Sequence, residues 1–214
     1  MLSPHALPST RREFGDAFWR SLLYFNVYRL IVASILLAAT VLLGENIPFG
    51  TYSRRTFLYA SGAYIVFTLL AFLPILQRRI SFNLQLALYV SADVAAVVVM
   101  LYASGGISSG LGLLLLPSLA AAGLMSRGRV TLFFAAIASL GILAEHAYEV
   151  IALFGRTGLF IQAGLLSIGY FATAWLGHIL AKRAVAIEAI AAQREIDLAN
   201  MAQVNQLIIQ DMQD

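Results

Sequence analysis

The sequence predicts an all-α fold, a polytopic six-helix transmembrane bundle followed by a cytoplasmic coiled-coil helix. Three observations predict it. Of 214 residues, 60% are apolar and 12% charged, against about 45–50% and about 25% in soluble domains. Apolar runs of 17 to 22 residues recur six times between residues 22 and 180. At ~1.5 Å per residue such runs reach or nearly reach across a ~30 Å hydrocarbon layer. Residues 181–214 then turn polar and contain neither glycine nor proline.

The elements follow in order. Residues 1–21 read as a polar, basic cytoplasmic tail, with Arg11, Arg12 and Arg20 against Glu13 and Asp16. Trp19, Tyr24 and Tyr28 suit an aromatic anchor at the membrane interface. The spans are read as 22–43, 56–76, 84–102, 109–125, 130–151 and 159–180, so that 22–180 is one transmembrane domain. The first run is too long for a signal-peptide core and contains Arg29, so no cleavable leader is expected. The fourth run is the shortest and carries Pro117, which leaves a re-entrant segment as the alternative to a full span.

With the N-terminus in the cytoplasm, ten of the fourteen Lys and Arg residues fall in inside segments. Three lie in outside loops (Arg54, Arg55 and Arg156), and Arg29 lies within a span. This satisfies the positive-inside tendency and places both termini in the cytoplasm. The net charge of +3 is spread around the apolar runs, which reads as a topology signal and not as a nucleic-acid footprint. The absence of cysteine excludes disulfides and thiolate metal sites.

Residues 91–125 hold the costliest features. Asp93 is an acid inside an apolar run, and Ser104, Gly105, Gly106, Ile107, Ser108, Ser109 and Gly110 form a small-residue hinge before Gly112 and Pro117. Arg29 and Asp93 lie at similar depths from the cytoplasmic ends of the first and third spans, ~10 and ~14 Å at helical rise. An ion pair between them is geometrically possible. Either charge alone costs roughly 2.5–3.5 kcal/mol to insert, which argues for a partner or a polar cavity. The other reading has Arg29 snorkelling to the headgroups and Asp93 protonated or hydrogen-bonded to a neighbouring helix. Glu145, His146 and Glu149 gather near the outer end of the fifth span. They read as a solvated helix end, with a Zn or Mn site as the sharper alternative.

Small residues mark close packing. Gly106 and Gly110 form a GxxxG, and Gly169, Thr173, Gly177 and Ala181 make a stripe at four-residue spacing on the sixth span. Such stripes let helices approach closely in lipid, either within the bundle or against another helix. In the polar tail a heptad seam takes Ala184, Ala191, Leu198, Asn205 and Met212 at one position. The other takes Ile187, Arg194, Met201 and Ile208. Asn at such a position sets register and favours a dimer; a single amphipathic surface helix is the alternative. Catalytic signatures are absent: no Walker loop, no HExxH, no histidine phosphoacceptor motif.

These residues resemble a known family. The segment Tyr102-Ala103-Ser104-Gly105-Gly106-Ile107-Ser108-Ser109-Gly110-Leu111-Gly112 resembles the SGG–SGLG stretch in the membrane part of PilS-type sensor histidine kinases. Asn26-x-x-Arg29 resembles the polar opening of their first span, and 205–214 looks like the linker that precedes a PAS domain. The resemblance implies a homodimeric, multi-pass protein of the bacterial inner membrane. It implies a PAS domain and a kinase core after residue 214, with ATP and Mg used there for autophosphorylation on histidine. It implies phosphotransfer to a PilR-like response regulator in a two-component phosphorelay controlling type IV pilin. A single-span pilin in the membrane would be the inhibitory signal. No catalytic or cofactor-binding residue of that output half lies in 1–214. The rival readings are a small transporter or channel, and a membrane scaffold that dimerises through its tail.

Overall fold

The structure, a computed structural model, describes residues 8–77, 81–126, 128–153 and 157–211. Among them six α-helices occur: α1 (Pro8–Leu43), α2 (Arg54–Gln77), α3 (Phe82–Ala103), α4 (Leu115–Met125), α5 (Gly128–Leu153) and α6 (Phe160–Asp211). No strand occurs among the described residues. Helices suit a chain this apolar, because each satisfies its own backbone polar groups without water. All but α4 are long and apolar enough to cross a membrane. Contacts divide the chain into two units, Met1–His178 and Ile179–Asp214.

In the first unit, α1 begins at Pro8, well before the expected span start at residue 22. Proline suits a first helical position, where its missing N–H would have had no intrahelical partner. The expected tail is therefore helical from residue 8 onward.

The fourth span departs from the expected single helix over 109–125. Gly105, Gly106 and Gly110 adopt φ of 77°, 80° and 74°. These left-handed values, natural to glycine, stop α3 and prevent a right-handed helix from starting. Two 3-10 turns, Gly106–Ser109 and Leu111–Leu114, lead into an α4 of only 11 residues. At helical rise α4 is about 16 Å long, and the tighter turns add ~2 Å per residue. A Cβ on Gly106 would meet Glu149, one on Gly112 would meet Leu166 and Ile142, and one on Gly123 would meet Ala174 and Gly177. Pro117 is the third residue of α4. It sits within the first turn, where backbone N–H groups lack helical partners and proline is tolerated.

α3 is the centre of the bundle. Half of its most apolar window is buried, against 28% for α1, 22% for α2 and 17% for α6. Leu86, Val90, Val94, Val97 and Leu101 carry that burial. On the outer helices large apolar side chains such as Leu42, Leu73 and Ile161 stay exposed. In lipid this costs nothing, so the bundle is held by close packing and hydrogen bonds, not by apolar burial.

In the second unit α6 remains helical to Asp211. Ala184, Ile187, Ala191, Arg194, Leu198 and Met201 are all exposed. Asn205 and Ile208 lie in the helix, whereas Met212 lies outside the described residues, as do Arg78, Arg79, Arg127 and Arg156.

Candidate functional site

α1, α2 and α3 converge on one buried charge pair. Arg29 is 1% exposed and turned inward, so it does not snorkel. Its Nη2 lies 2.5 Å from Asp93 Oδ1, and its Nε donates to the same oxygen at 2.7 Å. The Tyr64 hydroxyl donates to Asp93 Oδ1 at 2.6 Å and accepts from Arg29 Nε at 3.1 Å. Weaker contacts at 3.4 Å run from the guanidinium to Asn26 Oδ1 and the Tyr89 carbonyl. The rings of Phe25, Tyr64, Phe67 and Tyr89 stand 5.1 to 5.7 Å from the guanidinium carbon. Arginine suits such a box, since it stacks on aromatic faces and is more weakly hydrated than lysine.

A second tier of bonds orients the box. Asn26 Nδ2 donates to the Thr68 carbonyl at 3.0 Å. Tyr89 donates to the Ala71 carbonyl at 2.8 Å and accepts from Gln85 Nε2 at 2.6 Å. The carbonyls of Thr68 and Ala71 lie in α2, so the site ties all three helices. Asp93 Oδ2 has no hydrogen-bond partner within 3.5 Å. Ser118 of α4 contributes to the carboxyl's polar surroundings and lines a void of about 20 Å³ with Arg29, Tyr64 and Asp93. Composition flagged Arg29 and Asp93 because charges in apolar runs stand out. Tyr64, Tyr89 and Ser118 were not legible, since such residues are common in spans for other reasons.

The Gly/Ser hinge forms a separate place at one end of the bundle. It is bound to the turn between α1 and α2. Gly50 N donates to Ser104 Oγ at 3.0 Å, and Thr51 Oγ1 donates to the Ser104 carbonyl at 2.8 Å. Tyr52 N and Ser53 N both donate to the Ala103 carbonyl, at 3.1 and 3.0 Å. Ser109 Oγ closes back on the Gly106 carbonyl at 2.8 Å. Gly106 and Gly110 therefore serve turns and not a GxxxG helix contact. The Glu149 carboxylate occupies the space a Gly106 side chain would need, and nothing lies within 4 Å of a Cβ at Gly110.

Glu145 and His146 are not a solvated helix end. They are 7% and 0% exposed; the 3-10 turn Gly106–Ser109 and Phe160 of α6 pack at this end of α5. His146 Nδ1 is 3.2 Å from Glu149 Oε2, and its ring meets Phe160 edge-on at 4.5 Å. Among the described residues no group of three metal-ligating side chains converges.

α4 links the charge site to α6. One face carries Ser118. Further along, Gly123 and Gly177 bring the two backbones together: a Cβ on Gly177 would stand 2.9 Å from the Ala120 carbonyl, and one on Gly123 2.7 Å from that of Ala174. The Tyr170 hydroxyl donates to the Gly112 carbonyl at 2.6 Å. The stripe of the sixth span thus packs within the bundle at Gly177. Gly169 makes only an ordinary contact with Leu116, and Thr173 is half-buried. Gly123, its counterpart, drew no notice in the sequence because it has no repeat. Pro117, Ala120 and Ala121 line one wall of an apolar groove of about 470 Å³, with Tyr24, Phe25 and Tyr28 of α1 opposite.

A helical membrane module built around a buried charge pair, with a glycine-broken fourth segment touching its last helix, is the class of protein that fold and site define. Residues 13–191 match the family described as the PilS-like transmembrane domain. The chain belongs to that family. It is 31% identical over 195 residues to the sensor protein kinase PilS of Pseudomonas aeruginosa, a match covering 90% of this chain and 36% of that protein. No solved structure matches. Two of the three stretches that carry the resemblance in the sequence supply Asn26 and Arg29 to the charge site and Ser104 to Gly112 to the hinge.

Proposed function

We propose that this chain is the signal-sensing module of a two-component histidine kinase and relays an intramembrane stimulus to a cytoplasmic output region. The observation that carries the reading is α4, which touches the Arg29–Asp93 site through Ser118 and α6 through Gly123. A change in packing at the charge site or along the α1–α4 groove therefore acts on the helix that leads to residue 211. The stimulus is a single-span, pilin-like membrane helix or a change in the surrounding lipid. The module sits in the bacterial inner membrane with both termini cytoplasmic. The chain spans 36% of the length of its relative. Kinase activity with ATP and Mg, a PAS domain and phosphotransfer to a PilR-like response regulator are proposed for a region beyond residue 214.

Two copies act together through the seam at Ala184, Ile187, Ala191, Arg194, Leu198, Met201, Asn205, Ile208 and Met212. The polar interruptions Arg194 and Asn205 keep that coiled coil weak enough to be shifted. A switch of this kind needs two packings within a few kcal/mol of each other. The test is disulfide crosslinking across seam positions 191 to 208 in vesicles, with and without a pilin helix. A stimulus-dependent pattern is expected. A pattern indifferent to the helix counts against the reading.

A further inference from the structure

The groove between α1 and α4 lies within the first unit and has a definite place in a bilayer. Tyr24, Phe25 and Tyr28 form its α1 wall, and Pro117, Ala120 and Ala121 form most of its α4 wall. Tyr28 and Ser118 also line the void beside Asp93, so the groove's inner end adjoins the charge site. Its other end lies at Ser21 and Met125. The apolar stretch of α1 begins at Trp19 and that of α4 ends at Met125, so this end opens where the bilayer meets water. Between Ser21 and Tyr28 the groove runs ~10 Å toward the midplane at helical rise.

Size and charge decide the occupant. The groove holds about 470 Å³, within the range of about 300–1,000 Å³ typical of small-molecule sites. A helix body ~10 Å across and ~10 Å long fills roughly 800 Å³, so no helix lies in it. Close approach of a neighbouring helix needs small residues at the contact, whereas Tyr24 is 70% and Leu124 48% exposed at the rim. A flexible acyl chain meets neither obstacle. Arg20 is exposed one turn before Tyr24 on the same face of α1. Arg127 and Arg129 follow Met125 closely in the sequence, and Asp16 is the acid a turn before Arg20, which leaves this end of the two walls net basic. We propose that the groove binds one acyl chain of an anionic phospholipid, with the headgroup phosphate held near Arg20 at its mouth. The chain props Tyr28 against Pro117, so occupancy reaches the charge site and α4 together. Binding needs only the bilayer; that occupancy is a stimulus rests on the sensor reading above.

The chain has two tryptophans, Trp19 and Trp175, so lipid contact can be followed by fluorescence quenching. Tyr24→Trp in a Trp19→Phe, Trp175→Phe background puts the only indole on the groove wall. A second protein with Trp19→Phe alone keeps Trp175, 55% exposed on α6, to report bulk lipid. Each full chain is placed in phosphatidylcholine vesicles with a minor share of phosphatidylglycerol, and one lipid or the other carries brominated acyl chains. Brominated phosphatidylglycerol is expected to quench position 24 beyond its share of the bilayer, and position 175 only in proportion. Arg20→Gln should lower the preference at position 24 about fivefold, the worth of one cation beside an anionic surface. Ala121→Phe fills the groove and should abolish the excess; if it does not fold, Arg20→Gln on the exposed face still decides. Quenching at position 24 that follows lipid share, as at 175, would overturn the proposal. So would an excess that neither variant lowers. Position 24 shielded from both brominated lipids assigns the groove to another protein helix and overturns it as well. Any of these leaves the sensor reading standing with a different stimulus, whereas a stalk seam indifferent to stimulus sinks that reading and leaves the lipid site intact.

Discussion

Removing both partners of the Arg29–Asp93 pair should cost less than the two single removals added together, and the two single losses should be unequal. Truncating one side of a buried ion pair typically costs about 3–5 kcal/mol, because the other charge is left uncompensated. Asp93→Asn removes the negative charge that the guanidinium faces at 2.5 and 2.7 Å. Arg29 keeps the Tyr64 hydroxyl at 3.1 Å, two bonds of 3.4 Å and its ring faces. A guanidinium has no neutral form to fall back on, so the expected cost lies near the top of the range, about 4–5 kcal/mol. Arg29→Leu leaves Asp93 with the Tyr64 donor at 2.6 Å. An orphaned buried carboxylate escapes by taking up a proton, so about 2–3 kcal/mol is expected, the penalty of an under-satisfied polar group. The double variant buries no charge and should fall at least ~2 kcal/mol short of the summed single costs, the size of coupling seen between contacting residues. The assay is SDS-driven unfolding in mixed micelles, followed by far-ultraviolet circular dichroism. Costs that add within ~0.5 kcal/mol, the behaviour of independent sites, would refute the reasoning. A larger loss for Arg29→Leu than for Asp93→Asn would refute the asymmetry.

Other expectations follow from the hinge and the α4–α6 contact. Gly106→Ala must hold a side chain at φ 80° beside the Glu149 carboxylate, a backbone strain of about 1–3 kcal/mol. It should lower the unfolding midpoint, and adding Glu149→Ala should restore only the steric part. Ser104→Ala removes the acceptor for Gly50 N–H. About 1–3 kcal/mol of local stability should go, read as faster amide exchange at residue 50; unchanged exchange argues that the turn is held by other bonds. Tyr170→Phe loses the bond to the Gly112 carbonyl at about 1 kcal/mol, measured by the same SDS titration, and an unshifted midpoint would show that contact to be dispensable.

The all-helical, membrane-spanning class was legible because it is written in composition and run length, quantities that need no partner. So were Arg29 and Asp93, since a charge inside an apolar run is conspicuous whatever surrounds it. Their pairing was not. Equal depth on two helices allows an ion pair, but only the rotation of α1 and α3 about their axes brings Nη2 to 2.5 Å of Oδ1. The break in the fourth span does not show in hydropathy, which counts apolar residues and is blind to backbone sign. Positive φ at Gly105, Gly106 and Gly110 decided that segment. The burial of Glu145 and His146 was equally hidden, because their cover comes from the hinge turns and the start of α6, distant in sequence. By itself, then, the sequence determined which residues must lie in lipid, which charges need compensation and where glycine permits a break. Tertiary structure decided which side chains compensate them and which helix α4 touches, because those depend on helix rotation and on approach distances that no one-dimensional pattern carries.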